Sequence, residues 1–217
     1  GKKHKLPKAD GLILDLGFSS ESLESGRGFS FLKNELLDMR YDAKSQIPMT
    51  NDQNITAAEV VNSFSENDLA EIFWKYGEER YSRQIAKKII EQRKKKPIKT
   101  TFDLVEIIEK TAPRNYERNR IHPATKIFQA LRIYVNDELG NLEKALKNIY
   151  KIIQSKGRIA IISYHSLEDR LVKNCFRDLK NQGKARILTK KTITPTPQEI
   201  QVNPRSRSAK LRAIVLN

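Results

Sequence analysis

Apolar positions along this chain follow two periods, and the switch between them outlines its elements. Near the start, Leu12-Ile13-Leu14 reaches a single carboxylate, Asp15, and breaks at Gly17. A short apolar run ending in Asp and a Gly/Ser turn predicts a buried parallel strand. From Thr56 to Arg93 the spacing becomes helical. Ser65 and Asp68 form a capping-box pattern that opens a segment carrying Leu69, Ile72, Phe73 and Tyr76 on one stripe, with Gly77 as its stop. Tyr81, Ile85 and Ile89 share a face in the next segment, and a short helix is predicted over 100–110, ahead of Pro113. Two more helices are expected in 124–155, the second closed by Gly157. Arg158 to Ser163 predicts a second buried strand that runs straight into Tyr164-His165-Ser166 and a helix over 167–179. Residues 185–189 and 211–216 predict two final strands.

A helix, a strand, a loop and another helix in succession indicate an α/β domain whose second strand pairs in parallel with the first. The intervening stretch, 21–121, reads throughout as helix or loop, which predicts a helical insertion between residues 1–20 and 122–217.

Charge sharpens this picture. Lysine and arginine number 41 against 26 acidic residues, a net charge of +15. Such an excess favours a polyanionic partner through phosphate attraction and counterion release. Arg93-Lys94-Lys95-Lys96 is its densest run. A solvated face accounts for any one of these lysines, whereas the whole cluster over 80–99 predicts a surface that contacts phosphate. Cys175 is the only cysteine, and His4, His122 and His165 are scattered, so neither a disulfide framework nor a metal centre is expected. No apolar run approaches a membrane span and no secretory leader opens the sequence, so a cytoplasmic location is expected.

The candidate chemistry lies at strand ends. In open α/β sheets ligands bind at the carboxyl ends of strands, which singles out Asp15, Ser19 and Ser20. An ordinary Asx or Ser turn is the competing reading, and spacing does not separate the two. His165-Ser166 lacks the Gly-x-Ser-x-Gly setting of a nucleophilic serine. Ser166 with Asp169 reads instead as a capping box, and His165 stays open between a pocket group and a hydrogen-bonded core histidine. In Asn203-Pro204-Arg205-Ser206-Arg207-Ser208, two arginines alternate with serines, a pattern suited to gripping phosphate or carboxylate with bidentate forks.

Taken together, these segments resemble the bacterial small-subunit ribosomal RNA cytosine-N4 methyltransferases, the RsmH or MraW family. The matching stretches are Asp10-Gly11 with LDLGFSS, RGFSF at 27–31, LDMR at 37–40, TAAEVVN at 56–62 and YGEER at 76–80. They continue with HPATKIFQALRIYVNDEL at 122–139, GRIAIISYHSLEDRLVK at 157–173 and NPRSRSAKLR at 203–212. The resemblance implies a Rossmann-like domain that uses S-adenosylmethionine to methylate a cytidine N4 in the decoding region of 16S ribosomal RNA. Residues 1–20 and 122–217 would be its two parts, and 21–121 a helical insertion with an RNA-facing basic surface. It also implies that Asp15 contacts the cofactor, together with Ser22, where the family usually has glutamine. Ser19, Ser20 and His165 would line the amine site. Asn203, Arg205, Ser206, Arg207 and the run Arg93, Lys94, Lys95 and Lys96 would meet RNA. Tyr164 stands where the family has Phe, and Asn34-Glu35-Leu36 where it tends to Asp-Gly-Pro.

Family members begin with a strand and a glycine-rich cofactor loop that have no counterpart ahead of Leu12, so the chain is expected to lack the family's N-terminal third. Its four strands would then take the order 4-5-7-6 of such a sheet, with the Leu12 strand at an apolar edge. A non-catalytic RNA-binding or ribosome-associated module is the alternative, and the charge fits it equally. DNA cytosine-N4 methylation ranks last, because Asp15-Leu16-Gly17-Phe18 lacks the Pro-Pro-Tyr pattern it would want. The resemblance leaves the oligomeric state open, a homodimer included.

Overall fold

A computed structural model describes residues 7–17, 19, 23–41 and 55–217. It divides the chain into two compact units, one of residues 19–138 and one joining the stretch up to 18 with 139–217.

The first unit is helical: α1 (Ala57–Ser63), α2 (Glu66–Gly77), α3 (Ser82–Arg93), α4 (Thr101–Thr111) and α5 (Ala124–Asn136). Three of these start in capping boxes, Thr56 with Glu59, Ser65 with Asp68 and Thr100 with Asp103, each pair satisfying two backbone donors that the first turn leaves open. The apolar stripes point inward, with Leu69, Phe73, Ile85, Ile89, Leu104, Ile108, Ile127 and Leu131 all fully buried.

Two expectations about this unit are corrected. Gly77 does not stop α2; the left-handed residue that does is Glu78, at φ 50°. Gly77 is needed for a different reason, because a Cβ there would lie 2.6 Å from the Lys126 carbonyl oxygen of α5. Bare backbone lets the two helices touch. The boundary expected at 121/122 instead falls after 138, because α5 buries residues around most of its circumference and belongs with α2. Gln129 of α5 also donates to the Tyr76 carbonyl at 3.0 Å.

The second unit is α/β: β1 (Ala9–Asp15), α6 (Glu138–Asn148), β2 (Ile153–Ser163), α7 (Ser166–Asn181), β3 (Ala185–Ile187), α8 (Pro197–Val202) and β4 (Lys210–Leu216). Strand order is β1-β2-β4-β3, which is the order expected of these four strands. β1 and β2 run parallel, while β4 is antiparallel to both neighbours. Ile159, Ile161 and Ile214 of the central strands pack with Leu142 and Leu146 of α6 and with Val172, Phe176 and Leu179 of α7.

The apolar edge expected at the Leu12 strand is found, and the burial read from its apolar run is not. β1 pairs only with β2 among the described strands, so Leu12 and Leu14 are half-buried and Ile13 is 75% exposed. Residues 149–155 also differ from the helix expected of them: a 3-10 turn over Ile149–Ile152 gives way to β2 at Ile153. Gly157 lies in that strand, not at a helix end. The register steps from Ala9↔Ile153 to Gly11↔Arg158, so β2 bulges here, with Lys156 at φ 65°. A Cβ on Gly157 would meet the Asp10 carbonyl oxygen at 2.9 Å. No helix among the described residues is long and apolar enough to cross a membrane.

The contrast between edge and centre is testable. Ile161→Ala, at a fully buried site, is expected to cost about 2–5 kcal/mol in urea unfolding, whereas Ile13→Ala should stay within about 0.5 kcal/mol. Equal losses at the two positions would contradict the edge placement of β1.

Candidate active site

Because β1 and β2 are parallel, both carboxyl ends reach the same end of the sheet. Asp15 pairs with Ile162, and β2 continues into Ser163, Tyr164 and His165. β4 runs the other way, with Lys210 opposite Ser163, so its amino end and the segment leading into it arrive at that same end. That segment is α8 followed by a 3-10 turn, Pro204–Ser208, which carries Arg205 and Arg207. Topology alone therefore brings Asp15, His165 and the two arginines to one end of the sheet, although they span most of the sequence.

Asp15 is exposed. Its Oδ1 accepts the Gly17 amide at 2.8 Å in an Asx turn, and the Tyr164 side chain lies beside the carboxylate. Burial and the neighbouring Asp15 charge hold the Tyr164 phenol above its usual range, so it remains a neutral donor. Gly17 is required by this packing: a Cβ there would fall 2.8 Å from Asp15 Oδ1 and 2.9 Å from the Tyr164 ring. The turn reading of Asp15 is thus found, and its carboxylate stays exposed at the end of β1.

His165 is the N-cap of α7. Its Nδ1 accepts the Glu168 amide at 3.4 Å, and Glu168 Oε2 accepts the Tyr164 amide at 2.9 Å and the His165 amide at 3.3 Å. The expected capping pair, Ser166 with Asp169, is therefore displaced by one residue. The helix begins at Ser166, which makes Glu168, not Asp169, its third residue. With Nδ1 accepting, the neutral ring carries its proton on Nε2. Nε2 is buried and has no aligned hydrogen-bond partner among the described residues; Glu168 Oε1 lies 3.2 Å away. These contacts give His165 a capping role.

Asp169, released from capping, faces β4. Arg212 donates to it through Nε at 2.7 Å and Nη2 at 2.9 Å. This bidentate bond, partly opposed by burial, holds the Asp169 carboxyl below the usual carboxylate range. It ties the first turn of α7 to the strand that follows the arginine segment.

The remaining predicted residues separate. Ser19 is the first residue of the helical unit. Ser20 and Ser22 fall outside the described residues. Ser206 is buried and donates to the Asn203 carbonyl at 2.7 Å, so these two shape the turn while Arg205 and Arg207 are exposed on it. Arg93 is not a surface cation: its guanidinium donates to the Val61 and Phe64 carbonyls at 3.0 and 2.6 Å, closing the C-terminal end of α1. Lys96 bonds to Asp103 at 3.2 Å, leaving Lys94 and Lys95 as the exposed cations of that run without a protein partner among the described residues. Reasoning from sequence placed no function on Tyr164, although its position after β2, opposite Asp15, was implicit in the parallel pairing.

Within the helical unit, the RGFSF and LDMR stretches form one clamp. Asp38 holds Arg40 through Nε at 2.6 Å and Nη2 at 2.8 Å. Between them, buried Met39 sits at φ 62° because its amide bonds to the Arg27 carbonyl at 2.8 Å and its carbonyl accepts from Asn136 at 2.8 Å. Asp38 and Arg40 thus fasten the loop.

Residues 1–216 match the MraW methylase family. The chain belongs to that family. It is 52% identical to the ribosomal RNA small subunit methyltransferase H of Synechocystis sp. over 209 residues, covering 96% of this chain and 64% of that protein. It is 49% identical to the Coprothermobacter proteolyticus protein of the same name, covering 96% and 66% respectively. A Sulfurihydrogenibium relative, also so named, is 46% identical over 96% of this chain and 68% of its own length. The chain thus spans about two thirds of the length of these MraW-family relatives, and the match runs through both units, Asp15 and the arginine turn included.

The Asp169–Arg212 pair gives a pH prediction. Its folded carboxyl value is depressed, so its stabilisation is complete above the unfolded value, about pH 4, and is lost as pH falls through the folded one. Asp169→Asn should cost about 1–3 kcal/mol at neutral pH and converge with the parent chain in urea titrations as the pH falls through the depressed folded value. A gap that persists unchanged in acid would show that the pair does not carry the difference.

Proposed function

We propose that this chain forms the larger part of an S-adenosylmethionine-dependent methyltransferase that modifies N4 of a cytidine in the decoding region of 16S ribosomal RNA. The observation that carries the reading is the exposed Asp15 carboxylate, held at the carboxyl end of a parallel strand by the Gly17 amide and facing the same sheet end as the Arg205–Arg207 turn. The MraW-family match and the names of the relatives support the reaction class.

The donor set fits the cofactor's chemistry. An exposed carboxylate with one oxygen committed to a turn retains acceptor capacity for the cationic amino-acid end of S-adenosylmethionine. When bound, S-adenosylmethionine supplies an electrophilic methyl group. Asp15 anchors the cofactor, the Gly17 amide fixes the direction in which it faces, and the neutral Tyr164 phenol lies beside it.

Cytosine N4 is a poor nucleophile because its lone pair is delocalised into the ring. The protein's task is to hold that amine in line, with acceptors on its hydrogens, in a site shielded from water. Ser19 and Ser20 are proposed to border the amine, and Ser22 to take the family's second cofactor contact. His165 contributes by capping α7 and so fixing the loop after β2. A base stacked in a helix is out of reach, so the target is a flipped or loop cytidine. Arg205 and Arg207 are suited to its flanking phosphates. The small ribosomal subunit is the implied partner, met in the cytoplasm.

Methyl transfer from labelled S-adenosylmethionine to unmethylated small ribosomal subunits, followed by nucleoside analysis, tests this. Label is expected in N4-methylcytidine. Asp15→Asn should lower kcat/KM about tenfold or more, mainly through the cofactor KM, and Tyr164→Phe by a smaller factor in the same direction. RNA that is bound but not labelled would support a non-catalytic module instead, and unchanged rates in Asp15→Asn would remove Asp15 from the site.

A further inference from the structure

The sequence contains one tryptophan, and the fold does not bury it. Trp74, on α2, is 62% exposed and lines a groove of about 570 Å³ between α2 and the start of α3. Arg80, Arg83 and Gln84 line the α3 side of the same groove, with Asn67 and Glu71 on the α2 side. The Arg80 guanidinium lies 5.2 Å from the Tyr81 ring centroid, which holds it over the aromatic face at the groove's mouth.

The groove opens onto the most basic helix of the molecule. Arg83, Lys87 and Lys94 recur at the four- and seven-residue spacings of one helical face, and Lys94, at the C-cap, keeps helical dihedrals. All three are exposed, and none forms a side-chain hydrogen bond or close ion pair among the described residues, although Glu91 lies in the field of Lys87. Lys95 continues the charge on the neighbouring row, where only Lys88 and Glu91 neutralise each other, at 2.7 Å. The two cations of the predicted run that are used internally, Arg93 and Lys96, point to Val61 and Phe64 carbonyls and to Asp103 instead. A line of unpaired cations thus leads to an exposed indole set between guanidinium and carboxylate groups.

We infer that this surface of the helical unit binds single-stranded RNA, with an unpaired base stacked on Trp74 and the adjoining phosphates along Arg83, Lys87 and Lys94. The inference rests on the ribosomal RNA reading above and adds a contact remote in sequence from Asp15. A base has a π-face for the indole. Glu71 and Asn67 offer acceptors to amino hydrogens on its edge, and the basic row neutralises phosphates whose counterions are then released. A duplex keeps its bases stacked on one another and cannot use the indole. An acidic peptide would use the lysines while leaving Trp74 unengaged.

Because Trp74 is the sole tryptophan, indole emission of the whole chain reports this groove alone. A short mixed-sequence single-stranded oligoribonucleotide should quench it saturably, the same sequence as a duplex only weakly, and polyglutamate not at all. By anisotropy of the labelled single strand, Trp74→Ala should weaken binding about 5- to 150-fold, while Trp74→Phe, which preserves a stacking ring and controls for folding, should remain within about threefold. Arg83→Ala and Lys87→Ala should each reduce the log–log salt slope by about 0.7. Equal quenching by duplex or by polyglutamate, or unchanged affinity in Trp74→Ala, would overturn the inference. If the single strand quenches as expected but ribosomal subunits acquire no methyl label, the groove stands and the methyltransferase reading falls. If subunits are labelled and Trp74→Ala alters neither oligonucleotide affinity nor subunit KM, the reverse holds.

Discussion

The parallel pairing of β1 with β2 is the constraint on which the candidate site depends. Parallel strands deliver their carboxyl ends to one side, so Asp15 and the Ser163–His165 stretch meet there although well over a hundred residues separate them in the chain. Antiparallel β4 then adds the segment in front of it, and the arginine turn arrives without any long connection. Reversing either direction would move Asp15 or the arginines to the opposite end. Chemistry at this end is a consequence of hydrogen-bond direction in the sheet before it is a property of individual side chains.

Close backbone approach is the second recurring device. Gly17 makes room for the contact between Asp15 and Tyr164, Gly77 lets α2 touch the backbone of α5, and Gly157 accommodates the bulge where β2 passes Asp10. Each glycine is surrounded so closely that a single methyl group would strike a carbonyl or a side chain. In all three places the missing side chain serves packing, and in none of them does it end a helix.

The charge of the chain divides into cations that fasten the fold and cations that face outward. Arg93 closes α1, Arg40 holds Asp38, and Arg212 ties β4 to α7. Each is engaged in bidentate or double hydrogen bonding that is stronger than a surface ion pair. Arg83, Lys87, Lys94 and Lys95 lack such partners among the described residues, and Arg207 is exposed on its turn. The net charge of +15 therefore overstates what is available to a polyanion, while the available part is concentrated in fewer places than the sequence suggests.

Local pattern determined a good deal by itself. The capping pair Ser65/Asp68, the inward stripes of α2 and α3, the strands around Ile161 and Ile214 and the family match were all legible, because they depend on periodicity and on contacts three or four residues apart. Tertiary structure decided the rest. Whether Ile153 ends a helix or begins a strand depends on the Asp10 backbone beside Gly157, and whether α5 joins sheet or helices depends on the α2 surface it meets. The cap of α7 passed from Ser166 to His165 by one residue, a margin finer than any pattern resolves. Trp74 and Arg93 show the same limit from opposite sides. Composition places the aromatic inside and the arginine outside, and only the fold reveals that α1 needed the guanidinium for its open carbonyls while the indole stays exposed among the described residues.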